Sequence, residues 1–199
     1  HGPGVCHTPT IPNLRVPRPA ATPIFDVFRE ADPLFRHAPD SNRLESVNPA
    51  STEVTSSIDL PPGAEVAYGG SVIAIVSPQG QLWGIPSVGD LQFNYVSQTP
   101  LVELGEDAHA VVTPSGAILA VSPENKKLYR IATLADQPQA SDFPAVGEFQ
   151  LAAVGEQAVV FDQSTNEIVT QGGTAYGIGD EKGLKLQLSG PESPFAIVS

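Results

Sequence analysis

PQGQLWGI (residues 78–85) sets a polar turn in front of an alternating apolar strand, and the same grammar returns in DSNRLESV (40–47), ENKKLYRI (124–131) and STNEIVTQ (164–171). The central apolar residues of these octets, Leu44, Leu82, Leu128 and Ile168, lie 38, 46 and 40 residues apart. Short strands and turns at such a period, with no helical periodicity, match the blade of a β-propeller. Each blade is a four-stranded sheet that buries its faces only against its neighbours. The fold class expected is therefore all-β, a partial β-propeller of consecutive four-stranded antiparallel blades.

Outward from PQGQLWGI, the unit from Glu53 to Ile85 reads as one blade. VTSSIDL (54–60) supplies a first strand, Pro61-Pro62-Gly63 a turn, AEVAYG (64–69) a second strand, SVIAIVS (71–77) a third and QLWGI (81–85) a fourth. SVIAIVS is almost continuously apolar, as a strand buried on both faces near a propeller axis should be. A second unit uses PLVELG (100–105), HAVVTP (109–114), AILAVSP (117–123) and KLYRI (127–131), and a third uses GEFQLAAVG (147–155), AVVFD (158–162) and EIVTQ (167–171). Ile73, Ile75, Ile118, Leu119, Val121, Val159 and Phe161 are the expected core residues of these strands. Near the end, LKLQL (184–188) corresponds to SSIDL, and Ala196-Ile197-Val198-Ser199 repeats Ala74-Ile75-Val76-Ser77. The expectation is a further, truncated blade and a larger ring of which this chain is a fragment, with propeller-like blades over 25–199.

Residues 1–24 differ from the rest, with six of the twenty prolines, two arginines and no acidic residue. Proline fixes φ and lacks the N–H that a helix or a central strand needs. This segment is expected to be a disordered or non-native arm.

Composition narrows the partners. Lys and Arg number 10 against 22 Asp and Glu, for a net charge of −12, which opposes nucleic-acid binding because phosphate contacts need a basic stripe. No stretch is long and apolar enough for a spanning helix, so no membrane span is expected within these residues. The single cysteine, Cys6, has no intrachain disulfide partner.

The run NRLESVNPASTEVTSSIDLPPGAEVAYGGSVIAIVSPQGQLWGIP (42–86), with ILAVSPENKKLYRI (118–131), resembles the N-terminal propeller-like region of large actinobacterial fibronectin type III (Ig-like) domain proteins. The resemblance extends from Asp26 to about Ile131. It implies a membrane-anchored parent, an extracytoplasmic cell-envelope location and fibronectin type III modules toward the C-terminus. Two departures stand out: residues 1–24 do not match the family's anchor and first strands, and residues 29–34 interrupt an expected strand hairpin.

Candidate chemistry is sparse. Cys6 and His7, near His1, offer too few ligands for a metal site. His109 follows Glu106-Asp107 and invites a general-base reading, but it has no recognisable nucleophile partner and reads as a satisfied surface histidine. GIGDEKG (177–183) has neither the dinucleotide spacing nor the P-loop spacing, and Asp162, Asn166 and Glu167 lack the alternation of an EF-hand and read as turn formers. Trp83 and Tyr129 occupy matched positions in successive repeats, which assigns them to packing first and to a sugar- or peptide-binding platform second. No catalytic residue, metal or cofactor is assigned. The expected function is a non-catalytic interaction or scaffold module with a protein or cell-wall polysaccharide partner. The alternative is a part of a secreted or surface protein that binds or acts on polysaccharide, for which hydrolysis would need two facing carboxylates.

Overall fold

The computed structural model describes residues 26–29, 34–179, 184–187 and 197–198. Within them, four antiparallel four-stranded sheets follow one another along the chain. The first contains β1 (Asp26–Arg29), β2 (Leu34–Ala38), β3 (Arg43–Val47) and β4 (Val54–Asp59). The second contains β5 (Glu65–Gly69), β6 (Val72–Val76), β7 (Gln81–Pro86) and β8 (Val102–Glu103). The third contains β9 (His109–Val112), β10 (Ile118–Ser122), β11 (Lys127–Ile131) and β12 (Gln139–Asp142). The fourth contains β13 (Phe149–Val154), β14 (Gln157–Asp162), β15 (Glu167–Thr170) and β16 (Ala175–Gly177). β17 (Leu186–Gln187) pairs with β18 (Ile197–Val198) in a further two-stranded sheet. Each four-stranded sheet is a simple meander, and from β5 through β9 and β13 to β17 the first strands of successive sheets touch. These first strands therefore line the ring axis.

The apolar run of β6 has a direct explanation in this stacking. Ile73 and Ile75 join Phe35, Leu44 and Ile58 of the first sheet, whereas Val72, Ala74 and Val76 join Val112, Ile118 and Ala120 of the third. Successive side chains of a strand point to opposite faces, so a blade with a neighbour on each side buries every residue of its second strand. β10 does the same, with Ile118 and Ala120 facing backward and Leu119 and Val121 facing forward. All the expected core residues are buried except Val159, which is half-buried; Val160 beside it is fully enclosed.

The phase of the blades differs from the sequence expectation by one strand. β4 pairs with β3 and closes the first sheet, so the segment read as the first strand of a blade is the last strand of the preceding one. QLWGI is accordingly third in its sheet, and the fourth strand is the short β8. The cause lies at Pro61-Pro62-Gly63. Two prolines cannot donate to a ladder, and the segment forms the link between sheets instead of a hairpin. LKLQL shifts likewise: β17 takes the first, axial place of its sheet, not the outer place that SSIDL occupies. The match of the last residues to β6 holds in register, since Val198 pairs with Leu186 as Val76 pairs with Glu65. SVIAIVS is thus second from the axis. The hairpin thought to be interrupted at 29–34 is present, with β1 and β2 paired from Asp26↔His37 to Arg29↔Leu34. The Pro-rich arm lies outside the described residues.

The repeated octets coincide with a repeated backbone device. Their third residues, Asn42, Gly80, Lys126 and Asn166, all have left-handed φ values, of 49°, 76°, 51° and 57°. The carbonyl of each accepts a hydrogen bond from the first residue after the fourth strand, Leu60, Leu104, Phe143 and Ile178 respectively, at 2.8 to 3.1 Å. One turn therefore reverses the chain between the second and third strands and also fastens the exit toward the next blade.

Candidate functional site

The β-ladders of the second, third and fourth sheets place one register position of each axial strand at the same level. Val76, Val121 and Phe161 pair with Leu82, Leu128 and Ile168 of the octets. On their other side they pair with Glu65, His109 and Gln150. Glu65, His109 and Gln150 are thus equivalent residues of three consecutive blades, at the end of the ring where the axial strands begin.

Their side chains reach forward to the following blade. Glu65 Oε2 lies 2.7 Å from Nδ1 of His109, joining the second sheet to the third. Gln150 Oε1 accepts from the Leu186 N–H at 2.6 Å, joining the fourth sheet to β17. His109 also meets the Phe149 ring of the fourth sheet edge-to-face, with centroids 5.0 Å apart and planes at 85°. Glu65 is exposed and His109 half-buried. The Glu65 hydrogen bond raises the His109 pKa above the ordinary imidazole value against an opposing effect of burial, and the charges of Glu65 and Asp107 add to the rise. Exposed Glu103, Glu106, Asp107, Glu124 and Glu148 share this end of the ring with Glu65, alongside Lys126 and Lys127 of the turn that carries Glu124. It is an acidic rim, which disfavours polyanions.

The other sequence candidates fall elsewhere. Asp162 is buried, and its carboxylate accepts the N–H groups of Ser164 at 2.8 Å, Thr165 at 3.3 Å and Gly147 at 3.3 Å. Asn166 donates through Nδ2 to the Gly179 carbonyl at 2.9 Å. Both residues hold a turn, and among the described residues no group of three or more His, Cys, Asp or Glu is arranged to hold a metal ion. Gly177 ends β16, while Gly183, His1, Cys6 and His7 lie outside the described residues. His37 is buried within β2.

Trp83 and Tyr129 do occupy equivalent positions, each directly after the octet leucine. Trp83 is only 2% exposed, sits in the core between the first two sheets, meets the Phe93 ring edge-on at 5.7 Å and donates through Nε1 to the Gln98 carbonyl at 2.9 Å. Packing accounts for it. Tyr129 is half-buried against the core between the second and third sheets.

Trp83 instead anchors a surface feature that the repeat did not disclose. The segment 87–101 between β7 and β8 is held by the Trp83–Gln98 bond, by the Leu91 N–H on Ser56 Oγ at 3.2 Å, and by insertion of Leu91 and Phe93 into the core. Leu101 packs against the core between the second and third sheets, while three other apolar side chains of the segment face solvent: Val96 is 82% exposed, Val88 70% and Tyr95 37%. Its insertion within the second blade is why the spacing from Leu82 to Leu128 is the longest of the three. No helix among the described residues is long and apolar enough to cross a membrane.

No protein-family model matches the chain. No curated protein matches it either. Among solved structures it is similar to selenomethionine-substituted virginiamycin B lyase from Staphylococcus aureus, with 15% identity, a TM-score of 0.58, and coverage of 88% of this chain and 62% of that one. It is also similar to BBS1N in complex with ARL6DN, with 16% identity, a TM-score of 0.55, and coverage of 92% and 64%. A third likeness is to the dihydro-heme d1 dehydrogenase NirN in complex with DHE, at 9% identity and a TM-score of 0.53, covering 73% of this chain and 34% of that one. The fold is a β-propeller. The chain spans less than two thirds of the length of each of these structures. At such identities the likeness establishes architecture alone, since one fold carries lyases, dehydrogenases and partner-binding proteins.

Proposed function

We propose that this chain is a non-catalytic propeller segment that serves as an interaction or scaffold module of an extracytoplasmic, membrane-anchored fibronectin type III protein of the cell envelope. The observation that carries the binding part of this reading is the 87–101 segment. An ordered loop, fastened from below by Trp83, Leu91 and Phe93, holds Val88, Tyr95 and Val96 in solvent, where apolar side chains gain only when a partner covers them. BBS1N, which shares the architecture, is described in complex with a protein, ARL6DN. The family resemblance supplies the cellular setting.

A photoreactive amino acid at position 96 tests the reading in cells that carry the parent protein. A single protein crosslinked from position 96, absent when the probe is moved to the exposed Asp136 and lost with Val88→Ser plus Tyr95→Ser, supports it. Equal crosslinking from both positions overturns it. Fractionation of the same cells decides the compartment. Polysaccharide binding, the alternative, predicts co-sedimentation of the purified chain with insoluble cell-wall material, reduced by substituting Tyr95 or the exposed Tyr176.

A further inference from the structure

At the acidic end of the ring, three blades that share no ladder are joined through one imidazole. β5 brings Glu65 to His109 Nδ1 at 2.7 Å, and β13 brings the Phe149 ring to the same imidazole at 5.0 Å. The remaining strands against β9, namely β6 and β10, contain no ionisable side chain, and neither does β13. The charged groups acting on His109 are therefore Glu65 across the blade boundary and Asp107 in the preceding link.

We propose that Glu65, His109 and Phe149 form a proton-operated clasp between the second, third and fourth blades, closed when the imidazole is charged and loosened when it is neutral. With the proton on, the Glu65 contact is an ion pair made by hydrogen bond, while the Phe149 ring of the fourth sheet packs against the same imidazole at 5.0 Å. Proton loss leaves a hydrogen bond from the neutral imidazole to the Glu65 carboxylate, without the opposite charge on the donor. Of the described residues bridging these blades at the axial end, His109 is the one whose charge changes near neutrality.

The sign follows from the direction of the shift. His109 titrates above the ordinary imidazole value in the folded chain, so the clasp contributes fully below the unfolded imidazole pKa. That contribution is lost as pH rises through the raised folded pKa.

NMR titration of the imidazole signals in the full chain is the first experiment, and it needs no variant. His109 should titrate above the unfolded value of about 6.5, with the midpoint lowered by Glu65→Gln. Hydrogen exchange of β5, β9 and β13, compared between wild type and Glu65→Gln at each pH, is the second. Wild type should exchange severalfold more slowly at pH 5.5, with the difference gone by about pH 9. A midpoint at or below 6.5 in wild type, or a protection difference unchanged across that range, overturns the proposal. Should Glu65→Gln fail to fold, the wild-type midpoint alone decides.

Discussion

Glu156 Oε2 of the fourth blade lies 2.9 Å from Thr113 Oγ1 of the third, at the end of the ring opposite His109. The same carboxylate accepts the Ser115 Oγ–H at 2.6 Å and the Ser115 N–H at 3.2 Å, while Arg130 donates to the Glu156 carbonyl at 3.2 Å. The hairpin β13–β14 thus hooks over the hairpin β9–β10. Thr113 is fully buried, so it depends on partners within the protein. The hydrogen bonds from Ser115, followed by that from Thr113, hold the Glu156 carboxyl below the ordinary carboxylate pKa.

Glu156→Gln should lower stability by about 1 to 2 kcal/mol at pH 7, the range for charge-assisted hydrogen bonds reduced for a partly exposed carboxylate. Because the folded pKa is depressed, the wild-type advantage is present above the unfolded carboxylate pKa and is lost as pH falls through the folded value. Urea unfolding of both proteins at pH 7 and at a pH below the ordinary carboxylate range measures this. An advantage that grows on acidification would refute the assignment.

Gly80 supplies a second test. It is left-handed at φ 76°, and a β-carbon there would overlap the backbone of Gly105 in the link to the next blade. Gly80→Ala should therefore cost more than about 2 kcal/mol, since backbone strain and a clash with a main chain that cannot swing away act together. Gly172→Ala, at a glycine with open space around its Cβ direction, should lie within about 0.5 kcal/mol of wild type. Equal melting temperatures for the two variants would contradict this.

What could be read from the sequence follows from burial. β6 and β10 announce themselves because both faces are covered, and the octets because the polar turn and the central Leu or Ile recur together. Two outer strands, β4 and β8, were legible as strands but assigned to the following blade, while the other two were silent: Gln139–Asp142 of β12 and Ala175–Gly177 of β16 are exposed throughout, so no alternation marks them. Without them the blade boundary slipped by one strand. The pairing of Glu65 with His109 had no local signal either, for the two are 44 residues apart. Counting back from each octet leucine through the ladders would have aligned them, had the phase been known. The 87–101 loop showed only as a longer interval.

Ile75 tests the two-sided burial of β6. It is fully buried between the first two sheets, so Ile75→Ala should cost about 2 to 4 kcal/mol as a cavity in a packed site. Val159→Ala, at a half-buried position of the equivalent strand in the fourth blade, should cost roughly half as much or less. Chemical denaturation ranks them, and a reversed order would contradict the enclosure of Ile75 between the first two sheets.

The last prediction concerns Lys126, the octet position that is Asn42, Gly80 and Asn166 in the other blades. Its φ of 51° is left-handed, a conformation that costs an ordinary residue about 1 to 2 kcal/mol. Its side chain is exposed, and what the blade uses is its carbonyl, which accepts from the Phe143 N–H at 3.0 Å. Lys126→Gly should relieve the strain at an entropic cost of about 0.5 to 1 kcal/mol in the unfolded chain, for a net gain of up to about 1 kcal/mol. Lys126→Asn should gain less, since asparagine tolerates this region only in part. Lys126→Val should lose about 1 kcal/mol, because branching at Cβ crowds the backbone there. Denaturation midpoints should therefore fall in the order Gly, Asn, Lys, Val. A valine variant as stable as the glycine variant would show that the octet's third residue is not held left-handed in solution, and with it would go the shared turn that fastens each blade to the next.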